Sequence, residues 1–477
     1  MQSRRDQVQA YFFVVGRLVA GLAQGKPDVL EHPNRRFNNG TVFGVLLACV
    51  IMAIFGIIGL FSPRGNNSWR TDGAIVLAKE TGARYVYLGG ELRPVLNMAS
   101  AMLAAGQSGS MTTVSQNSLT GVAVGAPIGI PGAPDGIPTA DRVNKAQWTV
   151  CARPPDRQAV VSAPTVTLRL DQEPGQSVPD GQAFLVSTPD GVVQLVWRGV
   201  RHRIADAATL EALGYSQEQV LPVSPAWLNV IPSGVDLKAP VIDRVGTLGQ
   251  AVGGRPSRIG QVFQVRNPAI SSEEYYVLRA DGLMPISRTI AAMLLASPET
   301  RNAYPNTRVV PIITGPDALA GLKLLSPAQD DLPPQPPALA DLGVGMSACA
   351  RFDLAADDGR VPRLVLVPIT ADKGAVAPAG KHVVGSTADR VVIPAGTGAL
   401  VRTMPAPGAL PGTGFLVTDV GVRYPLSDES VAASLNLGGA HSVAVPSALL
   451  ALLPVGPALD PQRAVTSQVT ELAKTGS

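Results

Sequence analysis

The stretch 41-TVFGVLLACVIMAIFGIIGLF-61 contains no charged residue, and at about 1.5 Å per helical residue it matches a hydrocarbon core roughly 30 Å thick. It reads as one transmembrane helix. Ahead of it stand Arg4, Arg5, Arg17, Lys26, Arg35 and Arg36, and shortly after it come only Arg64 and Arg70. The positive-inside bias therefore keeps the N-terminus cytoplasmic and sends residues 62–477 to the other side. A cleaved signal peptide would have a shorter apolar core and an A-x-A-like exit, whereas this run begins at Thr41 and leaves through Phe61-Ser62-Pro63-Arg64. A core helix of a soluble domain would be amphipathic.

The 477 residues leave ample chain beyond the membrane for several domains or an assembly of repeats. Charged residues make up 16% and mean hydropathy is +0.20, the balance of folded protein plus a membrane segment. A net charge of +3 argues against nucleic-acid binding, which needs a clustered basic face. With 49 Gly and 42 Pro, the chain is built of short elements separated by turns. Of the three cysteines, Cys49 lies in the membrane stretch. Cys151 and Cys349 lie on the oxidising side, where disulfides persist, in the similar settings Val150-Cys151-Ala152-Arg153 and Ala348-Cys349-Ala350-Arg351. They are expected to pair, constraining the unfolded chain by up to ~5 kcal/mol in the entropic account; the alternative is two buried free thiols.

Upstream of the membrane, Val8, Tyr11, Phe12, Val15, Leu18, Val19 and Leu22 recur at helical spacing. Residues 3–24 thus read as an amphipathic helix, started by Ser3 and Asp6 and ended by Gly25-Lys26-Pro27. Such a stripe must lie on the membrane surface or dock against a partner helix. A self-contained cytoplasmic mini-domain is the weaker reading, because so short a segment rarely forms a core.

A resemblance becomes specific at this point. Arg5-Asp6-Gln7-Val8-Gln9-Ala10-Tyr11, Pro27-Asp28 and Pro33-Asn34-Arg35-Arg36, then a single membrane helix ending before Pro63, are similar to the N-terminus of the EccB family. The likeness continues through Glu80-Thr81-Gly82-Ala83-Arg84-Tyr85-Val86-Tyr87, Leu92-Arg93-Pro94-Val95-Leu96-Asn97-Met98-Ala99-Ser100-Ala101 and Trp148-Thr149-Val150-Cys151, along essentially the whole chain. The resemblance implies a membrane core component of the type VII (ESX) secretion apparatus of actinobacteria. The partners it implies are EccC (the motor ATPase), EccD, EccE and the mycosin protease.

The outer region also resembles itself. The segments 83-ARYVYLGGELRPVLNMASAMLAAG-106, 192-VVQLVWRGVRHRIADAATLEALGY-215, 275-YYVLRADGLMPISRTIAAMLLASP-298 and 415-FLVTDVGVRYPLSDESVAASLNLGG-439 share one plan. Each has a short strand, a glycine turn (Gly90, Gly199, Gly282, Gly421), a second strand, then Pro or Arg (Pro94, Arg203, Pro285, Pro425) opening a helix. Residues 141–177 and 335–408 do not fit the plan and carry the two cysteines. They are expected to join as a central β-rich domain locked by the disulfide, with the second and third copies an excursion between its halves.

The fold class expected is therefore α+β: one N-terminal transmembrane helix, then an elongated ectodomain of four degenerate β-hairpin/helix repeats around a β-rich central domain. The division runs 1–40 cytoplasmic helix and linker, 41–61 membrane helix, 62–140 repeat 1, 141–177 first half of the central β domain, 178–240 repeat 2, 241–334 repeat 3, 335–408 second half of the central β domain, 409–460 repeat 4 and 461–477 mobile tail. The family resemblance implies the same four repeats, with a likeness to a phage cell-wall-binding fold. The run Leu332-Pro333-Pro334-Gln335-Pro336-Pro337 reads as a stiff connector.

No catalytic, cofactor or metal site is expected. His32, His202, His382 and His441 lack ligand spacing, and Gly106-Gln107-Ser108-Gly109 lacks the spacing of a nucleophile elbow. Some members of the family are labelled ATPases, yet the nearest approach to a phosphate loop, Gly374 to Gly380-Lys381-His382, has one residue too many and His where Ser or Thr should stand. The leading expectation is a structural scaffold joining the cytoplasmic and periplasmic layers of a secretion channel in the inner membrane and self-associating through its ectodomain, with apolar runs such as Leu449 to Val455 as candidate contacts, although most of that run is expected to be buried within the fourth repeat. The rival of another class is a peptidoglycan-binding anchor. It calls for exposed aromatics at matching repeat positions, which Trp197, Trp227, Tyr275 and Tyr276 do not supply.

Overall fold

A computed structural model of the chain describes residues 4–25, 34–61, 67–107, 109–143, 147–153, 163–327, 331–354, 361–404 and 412–467. They fall into two compact units: one holds the N-terminal helices with 67–70, 78–82 and 113–122, and the other holds the remainder.

In the first unit, α1 (Arg4–Gln24) ends where Gly25 takes positive φ. Ser3, its expected start, lies outside the described residues. The second helix, α2 (Asn34–Phe61), begins seven residues before the uncharged stretch, so Arg35 and Arg36 belong to it. Its candidate membrane span, Phe37–Ile58, is 22 residues long and none of it is buried against the rest of the protein. Near its start the Thr41 hydroxyl donates back to the Phe37 carbonyl at 2.8 Å, which hides that hydroxyl from an apolar surrounding.

The second unit is mixed α and β, with several small sheets. The first sheet, most of whose residues lie in this unit, comprises β1 (Ile75–Ala78), β2 (Arg84–Leu88), β3 (Glu91–Pro94) and, after helix α3 (Met98–Ala105), β4 (Met111–Val114), in the order β3-β2-β1-β4. The central strands β5 (Gln147–Arg153), β6 (Thr165–Arg169) and β7 (Gln176–Ser177) follow. A second small sheet is built from β8 (Gln182–Ser187), β9 (Val193–Trp197), β10 (Val200–Arg203), helix α4 (Ala207–Ala212), β11 (Leu221–Pro222) and helix α5 (Pro225–Asn229). A third has β12 (Val262–Asn267), β13 (Ser272–Arg279), β14 (Gly282–Ile286), helix α6 (Arg288–Ala296) and β15 (Ile312–Thr314). After β16 (Ala338–Leu339), which adds to β8, the chain returns to the centre as β17 (Met346–Asp353), β18 (Arg363–Pro368) and β19 (Arg390–Val392). The last small sheet has β20 (Gly398–Met404), β21 (Gly414–Thr418), β22 (Arg423–Pro425), helix α7 (Ser430–Ser434), β23 (Val443–Pro446) and helix α8 (Ser447–Leu450), and a final turn, α9 (Pro461–Ala464), closes the described chain.

The second, third and last small sheets share the first one's order, β10-β9-β8-β11, β14-β13-β12-β15 and β22-β21-β20-β23. In these three the fourth strand runs parallel to the first. The sequence plan caught the hairpin and the helix but missed the strand before them and the parallel strand after them. It also misplaced the helix starts. Pro94, Arg203, Pro285 and Pro425 lie in the strands that precede the helices, and side-chain caps open three of those helices. Asn97 accepts from Ser100 N–H at 3.0 Å, Asp206 from Thr209 N–H at 2.7 Å and Ser287 from Ile290 N–H at 3.1 Å. Proline suits these strand ends because it has no N–H to leave unpaired at a sheet edge.

The central sheet has the order β19-β6-β5-β17-β18-β7. The hairpin β5–β6 and the hairpin β17–β18 meet along β5 and β17, and each flank is a strand from the opposite half of the domain, β19 parallel to β6 and β7 antiparallel to β18. One face carries Trp148, Val150, Leu168, Ala350, Phe352 and Leu366 in a core shared with the second and last small sheets. There the Trp227 indole on α5 donates to the Val150 carbonyl at 3.0 Å, and Leu449, Leu450 and Leu453 belong to the same core. Two further cores join the small sheets in pairs: the first with the last, through Leu103, Leu416, Leu435 and Leu459, and the second with the third, through Leu185, Leu195, Val277 and Ile290.

Two expected boundaries move. Strand β20 starts at Gly398 and pairs with β21, so residues 398–404 belong to the last small sheet and not to the centre. Residues 461–467, expected as mobile tail, form α9 and a bridge from Ser467 to Ile128; 468–477 lie outside the described residues.

Candidate functional site

The period-two alternation of β5 and β17 puts Cys151 and Cys349 on the face of the central sheet opposite the large core. They are directly opposite in register, with Cα atoms 4.1 Å apart and a disulfide joining residues separated by 198 positions. Both are buried, with Val365 and Val367 beside them. The same face carries a charged cluster. Arg169 is 1% exposed, and its guanidinium donates to Asp372 Oδ1 at 3.0 Å and to Asp171 Oδ1 at 3.1 Å. The Thr167 hydroxyl donates to Asp372 Oδ2 at 3.1 Å, and Arg153 approaches that oxygen to 3.7 Å. Arg351 donates to Thr149 Oγ1 and to the Glu173 carbonyl, and burial lowers its pKa from the usual arginine value.

The disulfide closes one strand pair, and the arginines tie β5, β6 and β17 to the loops that cover them. Cys151 and Cys349 were legible from their matching neighbours and from the expectation that both lie on the oxidising side. Arg169 had a faint signal, as the third polar residue in the alternating run Thr165-Val166-Thr167-Leu168-Arg169. Asp372, in a short 3-10 turn remote in sequence, had none.

The other residues singled out from sequence are scattered. His202 is fully buried with Nδ1 2.8 Å from the Val235 carbonyl, His382 Nε2 lies 3.2 Å from Asp389 Oδ1, and His441 is exposed. His32 and Ser108 lie outside the described residues. Lys381 sits in a loop that leads to strand β19 and not into a helix, unlike the strand–loop–helix of a phosphate loop. Trp227 and Tyr276 are buried. Of the apolar run 449–455, Leu449, Leu450, Leu452 and Leu453 are buried and Val455 remains 57% exposed. Besides α2, α1 leaves apolar surface uncovered: Tyr11, Phe12, Phe13, Leu18 and Leu22 are all exposed.

The family described as type VII secretion system ESX-1, transport TM domain B, matches residues 1–470. The chain belongs to the EccB family. Among curated relatives, the protein named ESX-3 secretion system ATPase EccB3 of Mycolicibacterium smegmatis is 31% identical, with 95% of this chain and 89% of the relative covered. ESX-2 secretion system ATPase EccB2 of Mycobacterium tuberculosis is 27% identical over 98% and 95% of the two chains. Among solved structures, a chain of an intact ESX-5 inner membrane complex matches with a TM-score of 0.66 at 25% identity, covering 98% of this chain and 96% of that one. The EccB3 dimer from the ESX-3 core complex gives 0.66 at 28% identity, covering 82% and 100%. This EccB chain is thus similar to components of ESX inner membrane complexes, and the one candidate membrane helix among the described residues agrees with the transmembrane domain in the family's description.

Proposed function

We propose that this EccB chain is a bitopic scaffold subunit of a type VII secretion channel, with α1 in the cytoplasm, α2 across the inner membrane and the sheet-rich unit on the periplasmic side. The observation that carries the reading is the wholly uncovered 22-residue span in α2, following a helix whose aromatic residues are also uncovered. Neither surface is at home in water. The basic residues Arg4, Arg5 and Arg17 ahead of the span support a cytoplasmic N-terminus. EccC, EccD, EccE and the mycosin protease are the proposed neighbours, and copies of the chain self-associate through the ectodomain, a role supported by the dimer recorded for the EccB3 relative.

The ectodomain is proposed to be four copies of one sheet–helix unit around a central domain, divided at 140, 177, 240, 334 and, after the shift of β20, 397. The proposed role is structural and not enzymatic, although relatives carry the name ATPase. Two experiments test the proposal. Protease added to spheroplasts should digest the region beyond residue 66 and spare the first helix; an ectodomain protected until lysis would overturn the orientation. The purified chain, free of any motor subunit, should turn over no ATP, whereas turnover abolished by Lys381→Ala would establish an enzyme.

A further inference from the structure

One difference between the two paired cores follows the bridges Leu426–Leu459 and Ile204–Leu237. Where the last small sheet meets the first, the chain passes Leu459, bridged to Leu426, and closes into α9 with Asp460 as its cap. Leu459 and Ala464, both wholly buried, pack there with Ala99 and Leu103 of α3. Where the second sheet meets the third, the chain passes Leu237, bridged in the same way to Ile204, but residues 238–242 form no helix. Val241 is 85% exposed, and a cleft of about 380 Å³ remains between this segment, α4, α6 and the 3-10 turn Pro298–Ala303 that follows α6. Met293 and Leu294 of α6 give it an apolar floor, Ala208 of α4 forms a wall, and Asp206, Lys238 and Glu299 stand around it.

We infer that this cleft is a docking site for a short helical turn of a partner polypeptide, opened by proline, with a small apolar residue turned inward and a basic residue at the rim. The element it would receive is the kind that α9, Pro461-Gln462-Arg463-Ala464, supplies to the sister junction from within the chain. Two carboxylates against one ammonium leave the rim negative, which suits a cation where α9 carries Arg463. The volume falls in the range of ligand clefts and fits one turn, not a long helix.

The test uses the detergent-solubilised full chain and a fluorescein-labelled peptide of its own residues 458–467 as the probe, read by anisotropy. Saturable binding is expected, weakened at least tenfold by Ala208→Trp, which fills the cleft from an exposed position, and by Glu299→Lys. A peptide with Glu in place of Arg463 should bind at least fivefold more weakly to the unmodified chain. Near-UV circular dichroism establishes that the variants remain folded. Absence of saturable binding at millimolar peptide overturns the inference. So does binding that ignores both cleft substitutions but responds to Leu103→Ala, because the peptide would then be displacing α9 from its own seat.

Discussion

Arg169 and Asp372 lie 203 residues apart in sequence, yet Arg169 Nη1 donates to Asp372 Oδ1 at 3.0 Å on the sheet face that also holds the disulfide. Asp372→Ala would leave a 1%-exposed guanidinium with one fewer carboxylate, and breaking one partner of a buried pair costs about 3 kcal/mol. Replacing both, as Arg169→Met with Asp372→Leu, should cost less than Asp372→Ala alone. Denaturant midpoints of the three proteins check this, and a double variant weaker than the single one would refute it.

Cys151 and Cys349 are buried, so iodoacetamide should label neither until the chain is both reduced and denatured. Cys151→Ala with Cys349→Ala should lower stability by roughly 2–5 kcal/mol while leaving the far-UV spectrum intact, because strand register here is also held by the Arg169 cluster and the opposite core. Two freely labelled thiols in native, unreduced protein would be the contrary result.

Trp227 joins packing to a hydrogen bond. Its ring is wholly buried in the core beneath β5 and its indole N–H meets the Val150 carbonyl. Trp227→Ala should cost roughly 3–5 kcal/mol, and Trp227→Phe less, since only the polar contact and some of the volume are lost. Thermal unfolding of the two variants separates these contributions.

Gly199 sits at a hairpin tip with φ of 75°, and a Cβ there would fall 1.9 Å from the Pro362 carbonyl oxygen. Gly199→Ala combines left-handed strain with a backbone clash and should cost at least about 2 kcal/mol. Gly214→Ala is the control, because its φ is also positive but nothing lies near its Cβ. If the two substitutions cost the same, the close approach is not what requires glycine at position 199.

Asp206 caps α4, and its hydrogen bonds with Thr209 hold its carboxyl below the usual aspartate value. The charged form is therefore favoured in the folded chain. The stabilisation is complete above the unfolded value near ~3.9 and is lost as pH falls through the lower folded value. Asp206→Ala should lower stability by ~1 kcal/mol at neutral pH and flatten the acid limb below about pH 4. An unchanged acid limb would show that the cap plays no role in it.

Much of this architecture could be read locally. The uncharged run 41–61 declares its helix because no other arrangement satisfies that much apolar backbone in lipid, and the glycine turns near Gly90, Gly199, Gly282 and Gly421 mark hairpins. Cys151 and Cys349 could be matched because they are the two cysteines beyond the uncharged run and have similar neighbours. The sequence misled where a signal was short. The parallel strand Leu221–Pro222 spans two residues, too few for periodicity to register, and Pro285 reads equally well as a helix opener or a strand end until Ser287 is seen to cap the helix.

From sequence alone came one membrane helix, a self-similar outer chain and a cysteine pair, all properties of composition and short-range pattern. Only the tertiary structure decided that the first small sheet shares a core with the last and the second with the third, that β20 leaves the centre, and that Asp372 reaches Arg169. The shared cores and the ion pair depend on which surfaces complement one another between elements remote in sequence, 203 residues apart in the case of Arg169 and Asp372. No local pattern encodes that choice, since every amphipathic face is equally ready to be buried by any partner of the right shape.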